Sequence, residues 1–214
     1  MPSPAPVIGV DFDNTIVCYD ALFQRVAREQ GLIAPEVPAT KEAVRDDLRR
    51  RGQEAAWTEL QGYIYGPRLA EAAPFPGVRE FFARCVRQKI AVRIISHKTR
   101  HPYRGPRYDL HQTARAWLTA QGFFDPAQIG LAPDHVYFDL SLAEKLARIA
   151  QTGCTHFIDD LPELLAEPGF PVDVTPILFS PSGRPPAAGR FQCAAAWADL
   201  AELLLGQGDG AHAG

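Results

Sequence analysis

The chain has 214 residues, 46% of them apolar, with 22 basic and 25 acidic side chains and a formal charge of −3. That suits one domain plus a modest insert around a proper core, and it gives no global drive toward nucleic acid or an anionic membrane surface. No run approaches the ~18–20 apolar residues of a membrane span. The opening Met1-Pro2-Ser3-Pro4-Ala5-Pro6 lacks the basic and apolar regions of a secretion signal. The 4 cysteines (Cys18, Cys85, Cys154, Cys193) are widely spaced with no Cys-x-x-Cys pair, so a reduced cytoplasmic protein with ordinary buried thiols is expected. The 6 histidines show no metal-ligand spacing, and with the scattered cysteines they do not suggest zinc.

The first element is Val7-Ile8-Gly9-Val10-Asp11-Phe12-Asp13-Asn14-Thr15, an apolar strand that stops in two carboxylates one residue apart. Phe12 points to the opposite face of an extended chain, so both carboxylates leave the strand tip on one side. Two like charges that close are costly unless a cation sits between them or one takes a proton. A hard divalent ion such as Mg²⁺ suits such an oxygen-rich corner. Asn14 and Thr15 favour a turn over a longer strand.

Residues 17–75 hold helical stretches near 20–30, 40–51 and 53–61 and no convincing strand. That is too long for a simple strand-to-helix connection and predicts a small helical insert. Pro74-Phe75-Pro76-Gly77-Val78 marks the return to the core, stiffened by its prolines. Further short apolar runs fall at 90–95, 135–139, 155–158 and 174–179. Helical patterns separate them: Gly77–Gln88, Leu110–Gln121, Ser141–Gln151, Pro162–Glu167 and Ala194–Leu205. Strands apolar throughout, alternating with helices, predict a doubly wound α/β fold around a parallel sheet. The expected division is a core of 1–16 and 76–206, an insert of 17–75, and a flexible tail of 207–214. Ligands in such sheets bind at the carboxyl ends of the strands, near a topological switch. Asp11, Ser96 and Asp159 all fall there.

Four more groups complete the pattern. Thr155-His156-Phe157-Ile158-Asp159-Asp160 is a short strand ending in paired aspartates, before a helix start at Leu161-Pro162-Glu163. Ile90-Ala91-Val92-Arg93-Ile94-Ile95-Ser96 is a strand ending in a hydroxyl. Ser141 and Glu144 fit a capping box, which places Lys145 about one turn into a helix, near the strand tips. The run His97-Lys98-Thr99-Arg100-His101-Pro102-Tyr103-Arg104-Gly105-Pro106-Arg107-Tyr108 is a basic, tyrosine-bearing loop directly after the second strand.

The ordered set Asp-x-Asp-x-Thr, Ser, Lys, Asp-Asp resembles the haloacid dehalogenase-like (HAD) superfamily of hydrolases over roughly residues 7–20 and 74–204. The resemblance implies a Rossmann-like core with a cap inserted at 17–75, and a Mg²⁺-dependent phosphohydrolase working through an aspartyl-phosphate. Asp11 is then the nucleophile. Asp13 is the general acid and base, a position where the dehalogenase members have no aspartate. Thr15 either orients Asp13 or closes the turn. Ser96 donates to a phosphoryl oxygen. Lys145 neutralises the nucleophile and the transferring group, with Lys98 as its rival. The implied Mg²⁺ ligands are Asp11, the main-chain carbonyl of Asp13, Asp159 and, through water or as an orienter, Asp160. Asp160 also reads as an N-cap for the helix after it.

Asn14, His97, Lys98, Arg100 and Arg104 are the candidate substrate-binding residues. Arginines clamp a second phosphate or a carboxylate, and tyrosines stack on a base or sugar; the same run also reads as a solvated loop. Trp57, Tyr63, Tyr65 and Arg68 read either as a pocket roof or as the core of the helical insert. The expected partner is a small phosphorylated metabolite. The alternative is a nucleotide or polynucleotide 3′-phosphatase using residues 97–108, which is loosely similar to the 3′-phosphatase domain of polynucleotide kinases. A substantial cap and the negative charge weigh against a polymer. A receiver-type phospho-acceptor domain has the same groups in the wrong order.

Overall fold

A computed structural model describes residues 5–183 and 191–206 of the chain. The predicted tail of 207–214 lies outside the described residues. In chain order the elements are β1 (Val7–Val10), β2 (Val17–Cys18), α1 (Asp20–Glu29), α2 (Lys41–Arg50), α3 (Glu54–Tyr65), β3 (Ala73–Pro74), α4 (Val78–Arg87), β4 (Ala91–His97), α5 (Leu110–Ala120), β5 (Val136–Asp139), α6 (Leu142–Gln151), β6 (His156–Asp159), α7 (Pro162–Leu165), β7 (Thr175–Phe179), β8 (Gln192–Ala194) and α8 (Trp197–Leu205). No helix among the described residues is long and apolar enough to cross a membrane.

The chain divides into two compact units. The first runs up to Ile16, takes in Pro74–His97 and resumes at Gly122. It is built on a six-stranded sheet in the order β5-β4-β1-β6-β7-β8, with every neighbouring pair parallel. Counted along the chain, those strands lie in the order third, second, first, fourth, fifth, sixth, which is the doubly wound arrangement. The α/β expectation therefore holds. The strands are apolar throughout because both faces are covered. On one face Ile95, Phe157 and Leu178 pack with Leu146 and Ile149 of α6 and with Leu164 and Leu165 of α7. On the other, the Phe179 ring lies 5.7 Å from that of Trp197 in α8, which in turn lies 5.0 Å from Phe81 in α4. Leu178 and Phe179 take opposite faces because side chains alternate along a strand.

Gly9 of β1 has a packing reason to be glycine. A Cβ there would stand 2.5 Å from Phe157 Cδ2 and 2.9 Å from Cys154 Sγ.

The second unit comprises Val17–Ala73 and Lys98–Gln121. Its helices close on an aromatic core in which Phe23 lies 5.1 Å from Trp57 and 5.9 Å from Tyr65 between ring centroids. Trp57 and Tyr65 thus belong to the packing of the helical unit. The segment from Lys98 through α5 is part of this unit, although its sequence reads as one more helix of the sheet. Glycines allow the approach: Cβ atoms at Gly62 and Gly66 would stand 2.6 Å from Pro102 and 2.8 Å from the Tyr108 ring. The Trp117 indole of α5 donates to the Ala72 carbonyl at 2.9 Å.

Two local expectations need correction. The second core strand does not end at Ser96; β4 continues through His97 because it is paired with β5 up to Asp139. The run expected as helix from Ala194 begins instead as β8, which pairs with β7, and helix starts at Trp197. Asp199 sets that start by accepting from the backbone N–H groups of Ala195 and Ala196.

Candidate active site

The sheet changes direction between β1 and β6, because the connections leaving these two neighbours run to opposite sides. The crevice at their carboxyl ends is where doubly wound sheets place ligands. Val10 pairs with Ile158, and the Asp11 amide donates to the Ile158 carbonyl at 2.9 Å. Asp11 and Asp159 therefore leave the sheet side by side. Phe12 is fully buried and meets Phe138 edge-on, with ring centroids 5.6 Å apart.

Lys145 comes to the same point from α6. The Ser141 hydroxyl accepts from the Glu144 amide, and the Glu144 carboxylate accepts from the Ser141 amide. This capping box fixes the helix start, as the sequence predicts. One turn on, the Lys145 ammonium donates to Asp11 Oδ1 at 2.6 Å and to Asp159 Oδ2 at 2.7 Å. Lys145 is 2% exposed, Asp11 5% and Asp159 0%. Burial alone would disfavour the lysine's charge, but the two carboxylates outweigh it and hold the ammonium above its ordinary range. Asp11 moves the other way. Burial pushes its carboxyl up, Lys145 opposes this, Asp159 and Asp13 add to it, and the group is pushed up to about 7.

Asp159, Asp160 and Asp11 each offer an oxygen within 4.8 Å of the other two. Carboxylates so close to one another are costly unless a cation sits among them or one takes a proton. An all-oxygen donor set of this kind fits a hard divalent cation such as Mg²⁺. Asp159 Oδ1 also accepts from the Leu161 amide at 2.9 Å, which orients the carboxylate. The N-cap of α7 is Leu161, with no side-chain cap, so Asp160 does not serve as that cap. Asp160 Oδ1 instead accepts from the Thr15 hydroxyl at 3.4 Å.

The Asp-x-Asp-x-Thr segment forms a closed loop. The Ile16 amide donates to the Phe12 carbonyl at 3.1 Å, and Asn14 takes the left-handed conformation at φ 60°, which asparagine tolerates better than most residues. Asp13 is half-buried and Thr15 fully buried. Ser96 is buried on β4, two residues beyond the Val10–Ile94 pair and at the same edge of the sheet. His97 follows it and is exposed.

The remaining candidates belong to the helical unit. Lys98 is buried, with its ammonium 4.9 Å above the Tyr65 ring. Arg100 donates to Asp109 at 2.9 Å, beside the start of α5, which the same aspartate caps through the Gln112 amide. Arg104 lies 3.4 Å from Glu59. Both arginines thus already have carboxylate partners. Tyr63 lies under the Arg68 guanidinium, which is paired with Glu29 and Glu71.

Two contacts near the site have no local signal in the sequence. The Trp197 indole donates to the Thr15 carbonyl at 3.2 Å across 182 residues. Asp139, buried at the end of β5, pairs with Arg148 at 3.1 Å, while its second oxygen has no hydrogen-bond partner among the described residues.

No protein-family profile and no curated protein matches the sequence. Solved structures do match the fold. A dehalogenase superposes with a TM-score of 0.58 at 12% identity, covering 95% of this chain and 99% of that one. The HAD-hydrolase YfnB from Bacillus subtilis, bound to magnesium, gives 0.59 at 14% identity over 94% and 99%. A HAD family hydrolase from Deinococcus radiodurans R1, with bound phosphate and sodium, gives 0.56 at 15% identity over 94% and 96%. The chain thus has the Rossmann-like α/β fold of the HAD-superfamily hydrolases, with an acidic cluster at the switch point of its sheet.

Proposed function

We propose that the protein is a Mg²⁺-dependent phosphohydrolase acting on a small phosphorylated metabolite through an aspartyl-phosphate on Asp11. The observation that carries this reading is the buried set Asp11–Lys145–Asp159, with Asp160 within reach of a shared cation. Asp11, Asp159 and the Asp13 carbonyl, with Asp160 through water or as an orienter, would hold a Mg²⁺ ion, which would supply positive charge to the phosphoryl oxygens. The Asp11 carboxylate attacks phosphorus as the ester P–O bond breaks, and Asp13 gives its proton to the leaving alkoxide. Asp13, now a carboxylate, takes a proton from water. The hydroxyl attacks phosphorus, the bond to Asp11 breaks, and inorganic phosphate leaves. Ser96 donates to a phosphoryl oxygen, and Lys145 offsets the charge of Asp11 throughout.

Asp13 favours ester hydrolysis over dehalogenation, since a displaced halide needs no proton. The nucleotide or polynucleotide 3′-phosphatase alternative draws less support, because Arg100 and Arg104 of the basic loop are paired with Asp109 and Glu59. The test is phosphate release from a panel of phosphometabolites, nucleotides and a 3′-phosphorylated oligonucleotide, with and without Mg²⁺, beside halide release from 2-haloacids. Mg²⁺-dependent phosphate release lost in Asp11→Asn supports the proposal. Halide release, or full activity in Asp11→Asn, overturns it. A steep loss of activity with added salt on the oligonucleotide alone would favour the polymer substrate.

A further inference from the structure

We propose that Trp197 is a positioning residue for the Asp11–Thr15 loop, acting through its indole N–H on the Thr15 carbonyl. Its role in turnover rests on the phosphohydrolase reading; its role in fixing the loop does not.

The loop is held at its far end by two donors on consecutive carbonyls. Trp197 Nε1 donates to the Thr15 carbonyl at 3.2 Å, and the Phe75 amide donates to the Ile16 carbonyl at 2.9 Å. The first donor is a side chain, so it can be deleted without altering any backbone. It is also rigidly mounted. The indole is 1% exposed and packs against Phe81, Phe82 and Phe179, with ring centroids at 5.0, 6.2 and 5.7 Å. Asp199 fixes the start of α8 from below. At Gly77, whose φ is 85°, a Cβ would come within 3.1 Å of Trp197 Cβ, so the chain is fitted closely to this residue.

Thr15 passes the constraint on. Its carbonyl is fixed by Trp197 while its hydroxyl donates to Asp160 Oδ1, an oxygen-bearing member of the acidic cluster. The indole N–H therefore sets the position of a residue that touches the cluster directly and follows Asp13 by two positions. A core tryptophan chosen only for bulk needs some hydrogen-bond partner, but not one in this loop. Small misplacements of reacting groups cost rate steeply, about 10²-fold for ~1 Å.

The test replaces Trp197 by 3-benzothienylalanine, which keeps the bicyclic shape and lacks the N–H. Trp197→Phe serves as a second variant, and 7-azatryptophan, which retains the N–H, as the rescue. Three quantities are measured on the full chain: Mg²⁺ affinity by calorimetry, backbone hydrogen exchange over residues 11–16, and kcat and KM for phosphate release. The expected result is faster exchange in the loop, weaker Mg²⁺ binding, and kcat lowered by ~10–100-fold with KM nearly unchanged. The 7-aza variant should behave as wild type. Wild-type exchange and Mg²⁺ affinity in the benzothienyl protein would show that Trp197 serves packing alone, and would overturn the proposal. If the wild type releases no phosphate from any compound, yet the benzothienyl variant loosens the loop and weakens Mg²⁺, the phosphohydrolase reading falls and the positioning role stands.

Discussion

The Lys145 ammonium lies 2.6 Å from a carboxylate oxygen of Asp11, a residue 134 positions away in the chain. Both side chains are almost fully buried, so each depends on the other for its charge. Replacing Lys145 by methionine keeps the stem and removes the cation. Breaking a buried ion set by removing one partner costs ~3–5 kcal/mol. Urea unfolding of Lys145→Met in EDTA should show a loss of that order, and Mg²⁺ should recover part of it by supplying charge to the same carboxylates. A loss that Mg²⁺ does not reduce would argue against a cation site at Asp11, Asp159 and Asp160.

Gly9 should not tolerate a side chain. A methyl group there meets the Phe157 ring and the Cys154 sulfur well inside contact distance. Gly9→Ala is expected to lower stability by ~1–3 kcal/mol as an overpacked core. Phe157→Leu in the same chain should recover part of that loss. Thermal unfolding of the two variants and their combination measures it.

Thiol reactivity should follow burial. Cys193 is exposed, Cys18 partly buried, and Cys85 and Cys154 buried; all are unpaired. Burial pushes the Cys85 thiol up to about 12, far from the reactive thiolate. Maleimide labelling of the native protein, read by peptide mass, should modify Cys193 first. Cys85 and Cys154 should react only after denaturation.

Protonation of His135 and His156 should cost the folded state stability as pH falls below the ordinary histidine range. Burial lowers both from the ordinary 6.5, with the Arg93 guanidinium adding to the effect at His135. A group whose folded value lies below its unfolded value stabilises the fold above 6.5 and loses that contribution as pH falls through the folded value. Their contribution to the melting temperature should therefore decline as pH drops below 6.5, against an opposite contribution from Asp11, whose raised carboxyl takes up a proton in the folded state. His156→Gln, which keeps a polar partner for Thr155, should flatten that decline. An unchanged pH profile in this variant would remove His156 as a cause.

Much of the core is legible in the sequence because its cues are local. β1, β5, β6 and β7 are short apolar runs, as strands covered on both faces must be, and each lies within a residue of its predicted place. The Ser141–Glu144 box states where α6 begins and so where Lys145 stands. β8 was less visible: three residues, two of them exposed, become a strand only by pairing with β7. The ends of the helical unit were hidden for a similar reason. Nothing within Lys98–Gln121 says that it packs with α3; the close approach depends on Gly62 and Gly66, far away in the chain.

Local sequence cues already specify a parallel α/β sheet, two acidic strand tips, and a lysine one turn into a capped helix. Those follow from apolar periodicity and from capping chemistry, which act over a few residues. Long-range packing settles which charges meet. It placed β6 beside β1, which puts Asp159 next to Asp11, and laid α6 on the sheet so that Lys145 bridges them. It also set Lys98 over Tyr65, gave Arg100 and Arg104 to Asp109 and Glu59, and brought Trp197 to the Thr15 carbonyl. Such pairings depend on strand order and on which helix covers which face, and no short stretch of sequence carries that information.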